Sequence, residues 1–227
     1  MKPITDGIFH DEFTVSLGLG FTLPARTTFV RLSSGKLGVI SPGPQSEESM
    51  KWIEQKDPEP VLIAPNMFHH LYLKKMYERF PKAKIYGPKP LPRVKQPWLE
   101  GVMTDIDLLQ EDLKADFQCI RIEGHPALGE TALLHRPTKA LIVTDLMFNI
   151  FEPMPVMREI LLKIVGAYNK PRQSKLLKWT VKDKQVFKQS CQSLLDLDFD
   201  LAISAHGDVM MDPKEFIEGM TASMSRL

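Results

Sequence analysis

Cysteine is nearly absent: Cys119 and Cys191 are the two in 227 residues, which leaves neither a disulfide framework nor a zinc-knuckle spacing. Each lies in an apolar run, one strand-like and one helix-like, and reads as an inert core residue. An excess of either charge is also lacking. The net charge is only +1, so whole-chain electrostatics give no reason to expect a polyanionic partner. No apolar run approaches the ~18 residues of a membrane span, and Asp6, Asp11 and Glu12 precede any block that could act as a signal segment. The expectation is a cytoplasmic chain with no membrane association. Low-complexity tracts are missing too, and the Pro-rich stretch Pro81 to Pro97 reads as a loop over a packed body.

What is present suffices for a substantial core, with 43% of residues hydrophobic, and one domain spanning 1–227 is expected. Lys74 to Lys95 and Lys170 to Lys188 are basic and Glu100 to Asp116 is acidic; these read first as solvated faces. Residues 1 to 24 alternate weakly and read as an irregular first strand containing Gly18 and Gly20. A hairpin comes next, with β-branched runs at Thr27–Leu32 and Leu37–Pro42 around a Ser-Ser-Gly-Lys turn. Ser46 opens a short helix with Met50, Trp52 and Ile53 on its apolar side. Val61 to Ala64 is a core strand that runs into Pro65-Asn66-Met67-Phe68-His69-His70, placing two histidines where a strand hands over to a helix ending at Pro81.

The second half repeats this order in kind. Lys84–Gly87 and Phe117–Ile122 are strands, the latter ending in Gly124-His125. Thr131–His135 and Ala140–Asp145 form a second hairpin. Helices are expected at Val156–Tyr168 and Val181–Leu195, the latter capped by Thr180. A strand ending at His206-Gly207 precedes a last helix started by Asp212 and Pro213. Two such units pack as two mixed sheets face to face with helices outside: an α/β (α+β) fold, a four-layer αββα sandwich. Four of the six histidines, His69, His70, His125 and His206, fall at strand ends, and Asp145 falls at another. An ionisable group after an apolar run needs a partner. His10, His135 and Asp208 read as ordinary surface or packing residues, with Asp208 also close enough to His206 to orient it.

This ordered set resembles the metallo-β-lactamase-like hydrolase superfamily. More narrowly, Ala64-Pro65-Asn66-Met67-Phe68-His69-His70, Glu130 to His135, Leu141 to Asn149 and Ala205-His206-Gly207-Asp208 are similar to a branch of it known as a domain of unknown function. The resemblance implies a metal cradle built on His-x-His-x-Asp-His. With the last histidine of that motif set on His70, Pro65 and Met67 occupy its first two histidine positions and His69 its aspartate position. It further implies His125 as the Gly-His histidine, Asp145 as the bridging aspartate and His206 as the terminal histidine. One of two metal sites is therefore crippled. The implied ligands are His70, His125, Asp145 and His206, with His69 and Asp145 as catalytic groups.

A His and Asp set with an open position suits one Zn²⁺ or Fe²⁺ per chain and water activation near neutral pH. Three readings arise, in order: a metal-dependent hydrolase of a small-molecule substrate with a mononuclear site; a metal-free binding or scaffold protein on the same fold; and, last, a nucleic-acid processing protein, motivated by the basic stretches and Trp179.

Overall fold

A computed structural model describes residues 1–18, 21–151, 159, 162–163, 166 and 168–227. Most of the helix expected at Val156–Tyr168, and Gly20, lie outside the described residues.

Strands β1 (Lys2–Thr5), β2 (Ile8–Gly18), β3 (Phe21–Arg31), β4 (Leu37–Ile40), β5 (Val61–Ile63), β6 (Lys84–Gly87) and β7 (Met103–Asp105) lie side by side in chain order. The first four are antiparallel neighbours and β4 to β7 run parallel. The N-terminal segment, read from sequence as one irregular strand, is a long β2–β3 hairpin. Its outward residues are polar and its pattern weak because one face of β2 stays in solvent. The second sheet has the order β11 (Leu201–Gly207), β10 (Ala140–Asn149), β9 (Thr131–His135), β8 (Phe117–Arg121), with β10 and β11 parallel and the other pairs antiparallel. The β3–β4–β5 and β9–β10–β11 units thus match: an antiparallel hairpin, then a parallel return.

Alternation places each strand residue in a layer. Val30, Ile40, Ile63, Tyr86, Leu133, Ile142 and Ile203 meet between the two sheets. Phe29, Val39, Leu62 and Ile85 face outward onto α1 (Glu47–Lys56) and α2 (Leu73–Arg79) through Met50, Ile53, Leu73 and Met76. On the other side Ala132, Leu141, Val143 and Ala202 face α6 (Lys184–Leu195) and α7 (Pro213–Met224) through Phe187, Cys191, Leu194, Phe216 and Met220. Short helices α3 (Leu91–Val94), α4 (Leu109–Asp112) and α5 (Lys175–Thr180) complete the described set. The result is the expected αββα arrangement of two mixed sheets. Burial on both faces explains the unbroken apolar runs of β4, β5, β10 and β11.

Three local readings resolve differently. Asp183, not Thr180, caps α6, its carboxylate accepting from Gln185 N and Val186 N at 3.0 Å each. The Pro81–Pro97 stretch, read as a loop around the expected Lys84–Gly87 strand, which is β6, also contains α3. The helix after His70 begins only at Leu73, because a side-chain-capped turn occupies residues 66–72. As expected, both cysteines are packed, Cys191 fully; burial pushes each thiol up to about 12. Asp212 and Pro213 start α7 as read. Among the described residues no helix is long and apolar enough to cross a membrane.

Candidate metal centre

The chain leaves β5 through Ala64-Pro65-Asn66, and Asn66, fully buried, organises the turn that carries His69. Its Oδ1 accepts from Phe68 N at 2.8 Å and His69 N at 2.9 Å, folding the backbone back on itself. Its Nδ2 donates to Asp145 Oδ2 at 2.7 Å and Thr144 Oγ1 at 2.9 Å, with Glu130 Oε2 at 3.3 Å. The turn is pinned to the β8–β9 connection by Met67 N to Leu128 O and Thr131 N to Pro65 O, both 2.9 Å. One amide therefore both aims His69 and holds Asp145.

Asp145 sits on a large bulge. Ala140 to Val143 pair in register with Leu201 to Ser204, and the next pair is Phe148 with His206, so residues 144–147 face Ala205 alone. The backbone N–H groups released by the bulge find a carboxylate instead of a strand. Thr144 N donates to Glu130 Oε1 at 2.7 Å and Leu146 N to Glu130 Oε2 at 3.0 Å. Glu130 is wholly buried; burial, with the nearby Asp145 charge, pushes its pKa up to about 7 against those hydrogen bonds.

His69, Asp145 and His206 converge there. His69 Nε2 lies 3.2 Å from Asp145 Oδ2, and His206 Nε2 lies 3.2 Å from Asp145 Oδ1. Each ring is held from behind. His69 Nδ1 meets the Ser41 hydroxyl, and Ser41 follows β4 in a left-handed backbone conformation (φ 56°) that turns its side chain to the site. His206 Nδ1 is 2.8 Å from Pro24 O, and Phe148 stacks on its ring at 4.9 Å and 9°. Burial would raise the Asp145 carboxyl, but the His69 and His206 contacts outweigh it and hold it well below the usual carboxylate range.

This donor set fits a metal. A carbonyl only accepts, so His206 carries a proton on Nδ1, and Nε2 is the atom turned to the Asp145 carboxylate, as a metal-binding imidazole requires. The three side chains offer ligand atoms all within 4.8 Å of one another. Tetrahedral zinc with ligand bonds of ~2.0–2.1 Å sets its ligands roughly 3.3 Å apart, close to the 3.2 Å separations at Asp145. His69, Asp145 and His206 are thus a group that could hold a metal ion.

His70 and His125, expected as ligands, are not brought into the group. His70 lines the same cavity as the group but accepts at Nδ1 from Gln96 Nε2 at 2.8 Å; burial and Lys95 push its pKa down to about 4. His125 uses both nitrogens structurally. Nδ1 accepts from Leu128 N at 3.1 Å, and Nε2 faces Leu177 O at 3.1 Å and Thr180 Oγ1 at 2.9 Å, tying the β8–β9 connection to α5. Conversely His69, expected as a catalytic group in place of a carboxylate, stands at ligand distance. Asp208 is exposed, in line with its reading as a surface residue, and it is Pro24 O, not its carboxylate, that meets His206 Nδ1. His10 and His135 pack as expected. Sequence reasoning missed Asn66, Glu130, Ser41 and Lys95. A buried Asn after Pro65 and a Glu opening an apolar strand were the available signals.

The group lies in a cavity of about 240 Å³. Phe13, Val15, Leu23, Pro42, Phe68 and Leu71 make its walls predominantly apolar. Lys95 lines the same cavity, its ammonium 3.9 Å from the Phe68 ring centre.

No family model matches the chain, and no curated protein does. Solved structures do match along its whole length. A metallo-β-lactamase from Erythrobacter litoralis superposes with a TM-score of 0.68 at 10% identity, covering 100% of this chain and 96% of that one. One from Pontibacter korlensis gives 0.65 at 11% identity over 100% and 98%. The DIM-1 metallo-β-lactamase gives 0.63 at 11% over 100% and 97%. At such identities the likeness establishes the fold: this chain has the metallo-β-lactamase αββα sandwich.

Proposed function

We propose that the chain is a metal-dependent hydrolase of a small molecule with an apolar body, working with one metal held by His69, Asp145 and His206. It is a branch of the superfamily in which the His-x-His-x-Asp-His motif has degenerated at Pro65 and Met67. The observation that carries this reading is the convergence of two imidazole nitrogens and a carboxylate in an apolar cavity. A bound Zn²⁺ or Fe²⁺ supplies Lewis acidity and, for zinc, makes water acidic near neutral pH. The chain's own groups do the rest. Asn66 keeps Asp145 oriented, Ser41 and Pro24 O fix the imidazole planes, and the aromatic and aliphatic walls exclude solvent and bind the substrate's apolar part. Lys95, whose pKa is lowered by burial in spite of Asp145, places a cation at the cavity for an anionic substrate group.

Metal analysis of protein purified without chelator tests the proposal. One transition-metal ion per chain, lost in His206→Ala and in His69→Ala but retained in His125→Ala, is expected. Metal-free protein whose melting temperature does not respond to added Zn²⁺ refutes it. A metal-free binding protein is the second reading, favoured by the Asn66 amide that already occupies Asp145 Oδ2; it predicts that second result.

A further inference from the structure

A second cavity, of about 490 Å³, shares no lining residue with the first. Six cations line it: Lys170, Arg172, Lys175, Lys178, Lys184 and Arg226. No carboxylate side chain among the described residues does, and none of the six forms an ion pair among the described residues. Lys178 donates to Ser223 O at 2.7 Å and Lys184 to an oxygen of Leu227 at 2.9 Å, which positions both ammonium groups without neutralising Lys178. Half-burial and the charges of Arg226 and Arg172 lower the Lys178 pKa. Like charges gathered in a concave site repel one another, and the arrangement gains from an anion.

Two further residues narrow the ligand. Trp179, at the cavity, leaves 76% of its surface in solvent, an open aromatic face beside cations. Gln173, nearly fully buried, lines the cavity and its Oε1 has no hydrogen-bond partner among the described residues, leaving an acceptor for a ligand N–H or O–H. Anionic charge, a flat π-face and a hydrogen-bond donor coincide in a nucleoside phosphate.

We propose that this cleft binds nucleoside phosphates, with Lys175, Lys178, Arg172 and Arg226 on the phosphates and Trp179 stacked on a base. The concavity favours this over an anionic membrane, which presents a flat surface. Free nucleotides and single strands share the chemistry, and the test separates them. A fluorescein-labelled short oligothymidylate is titrated by anisotropy across a salt series, ADP by calorimetry, and phosphatidylserine vesicles by flotation. Saturable binding of the oligomer alone assigns a strand; ADP binding that competes with it assigns a nucleotide pocket. Lys175→Gln with Arg226→Gln should weaken the binding by about tenfold or more, and flatten the oligomer's log–log salt slope by roughly 0.7 per lost cation. Trp179→Ala, at an exposed position, should weaken binding while leaving the melting temperature and the slope unchanged. Binding of vesicles only, no saturable binding of oligomer or ADP, or affinities indifferent to Trp179→Ala would overturn the proposal.

Discussion

Replacing Asn66 by Ala removes one side chain that links two elements. Two backbone donors, Phe68 N and His69 N, lose their acceptor, and Asp145 and Thr144 lose a donor. Each buried polar group left without a partner costs ~1–3 kcal/mol, and part of the cost is recovered where water reaches Phe68 N and His69 N. A loss of about 2–5 kcal/mol is expected, a large share of the ~5–15 kcal/mol that folded chains possess. With a urea slope of ~2 kcal/mol/M, the unfolding midpoint should fall by roughly 1–2.5 M. Asn66→Asp separates the two duties. It keeps the acceptor for Phe68 N and His69 N but turns a donor facing Asp145 and Glu130 into a third carboxyl. At pH 8 it should be more harmful than Asn66→Ala, and the deficit should shrink on acidification as the added carboxyl protonates. Urea melts of the three proteins at two pH values decide the matter. A loss under about 1 kcal/mol for Asn66→Ala, or a harmless Asn66→Asp at pH 8, would refute the role assigned to this amide.

The same geometry sets other outcomes. His125→Ala should cost stability, about 1–3 kcal/mol by thermal or urea melts, because the imidazole's links to Leu128 N, Leu177 O and Thr180 Oγ1 go, although Leu128 N keeps the residue-125 carbonyl and Leu177 O keeps Thr180 Oγ1, while Zn²⁺ binding by calorimetry persists; lost metal affinity would restore His125 as a ligand. Glu130 has a folded pKa raised from 4.5 to about 7, so its protonated form contributes stability that is fully present below pH 4.5 and is lost as pH rises through 7. The span corresponds to about 3 kcal/mol, and Glu130→Gln should flatten that part of a stability–pH profile. Asp145 acts in the opposite sense, its contribution present above pH 3.8 and lost on further acidification. Gly207→Ala should be severe, since Gly207 has φ +99° and an added Cβ would lie 2.1 Å from Asn149 O; failure to express folded protein, or a melting temperature lowered by many degrees, is the expected readout.

The strands were legible where burial is two-sided or alternation strict, as at Val61–Ile63 and Ala140–Val143, because backbone period and apolar pattern agree there. The β2 strand was obscured by its solvent-facing polar residues. Of the site, His69, Asp145 and His206 could be found as ionisable groups at strand ends. Their relative roles could not: a shift of one residue in a turn redirects a side chain by about 100°, which decides between His69 and His70. His125 was misassigned because its partners, Leu177 and Thr180, lie more than fifty positions away in sequence. Glu130 was missed for a related reason, since its value depends on N–H groups released by a bulge that no local pattern announces, and Asn66 because its partners Thr144 and Asp145 lie 78 and 79 positions away.

That bulge separates load-carrying from chemistry. The paired stretch Ala140–Val143 carries the register with β11, while Asp145 rides on residues 144–147, which are exempt from pairing and are braced by Glu130. Exchanges at position 145 therefore alter the charge of the centre without asking the sheet to realign. In the same way Pro65 and Met67 stand well packed at the end of β5, beyond the stretch that carries that strand's register, while both sheets stay in order.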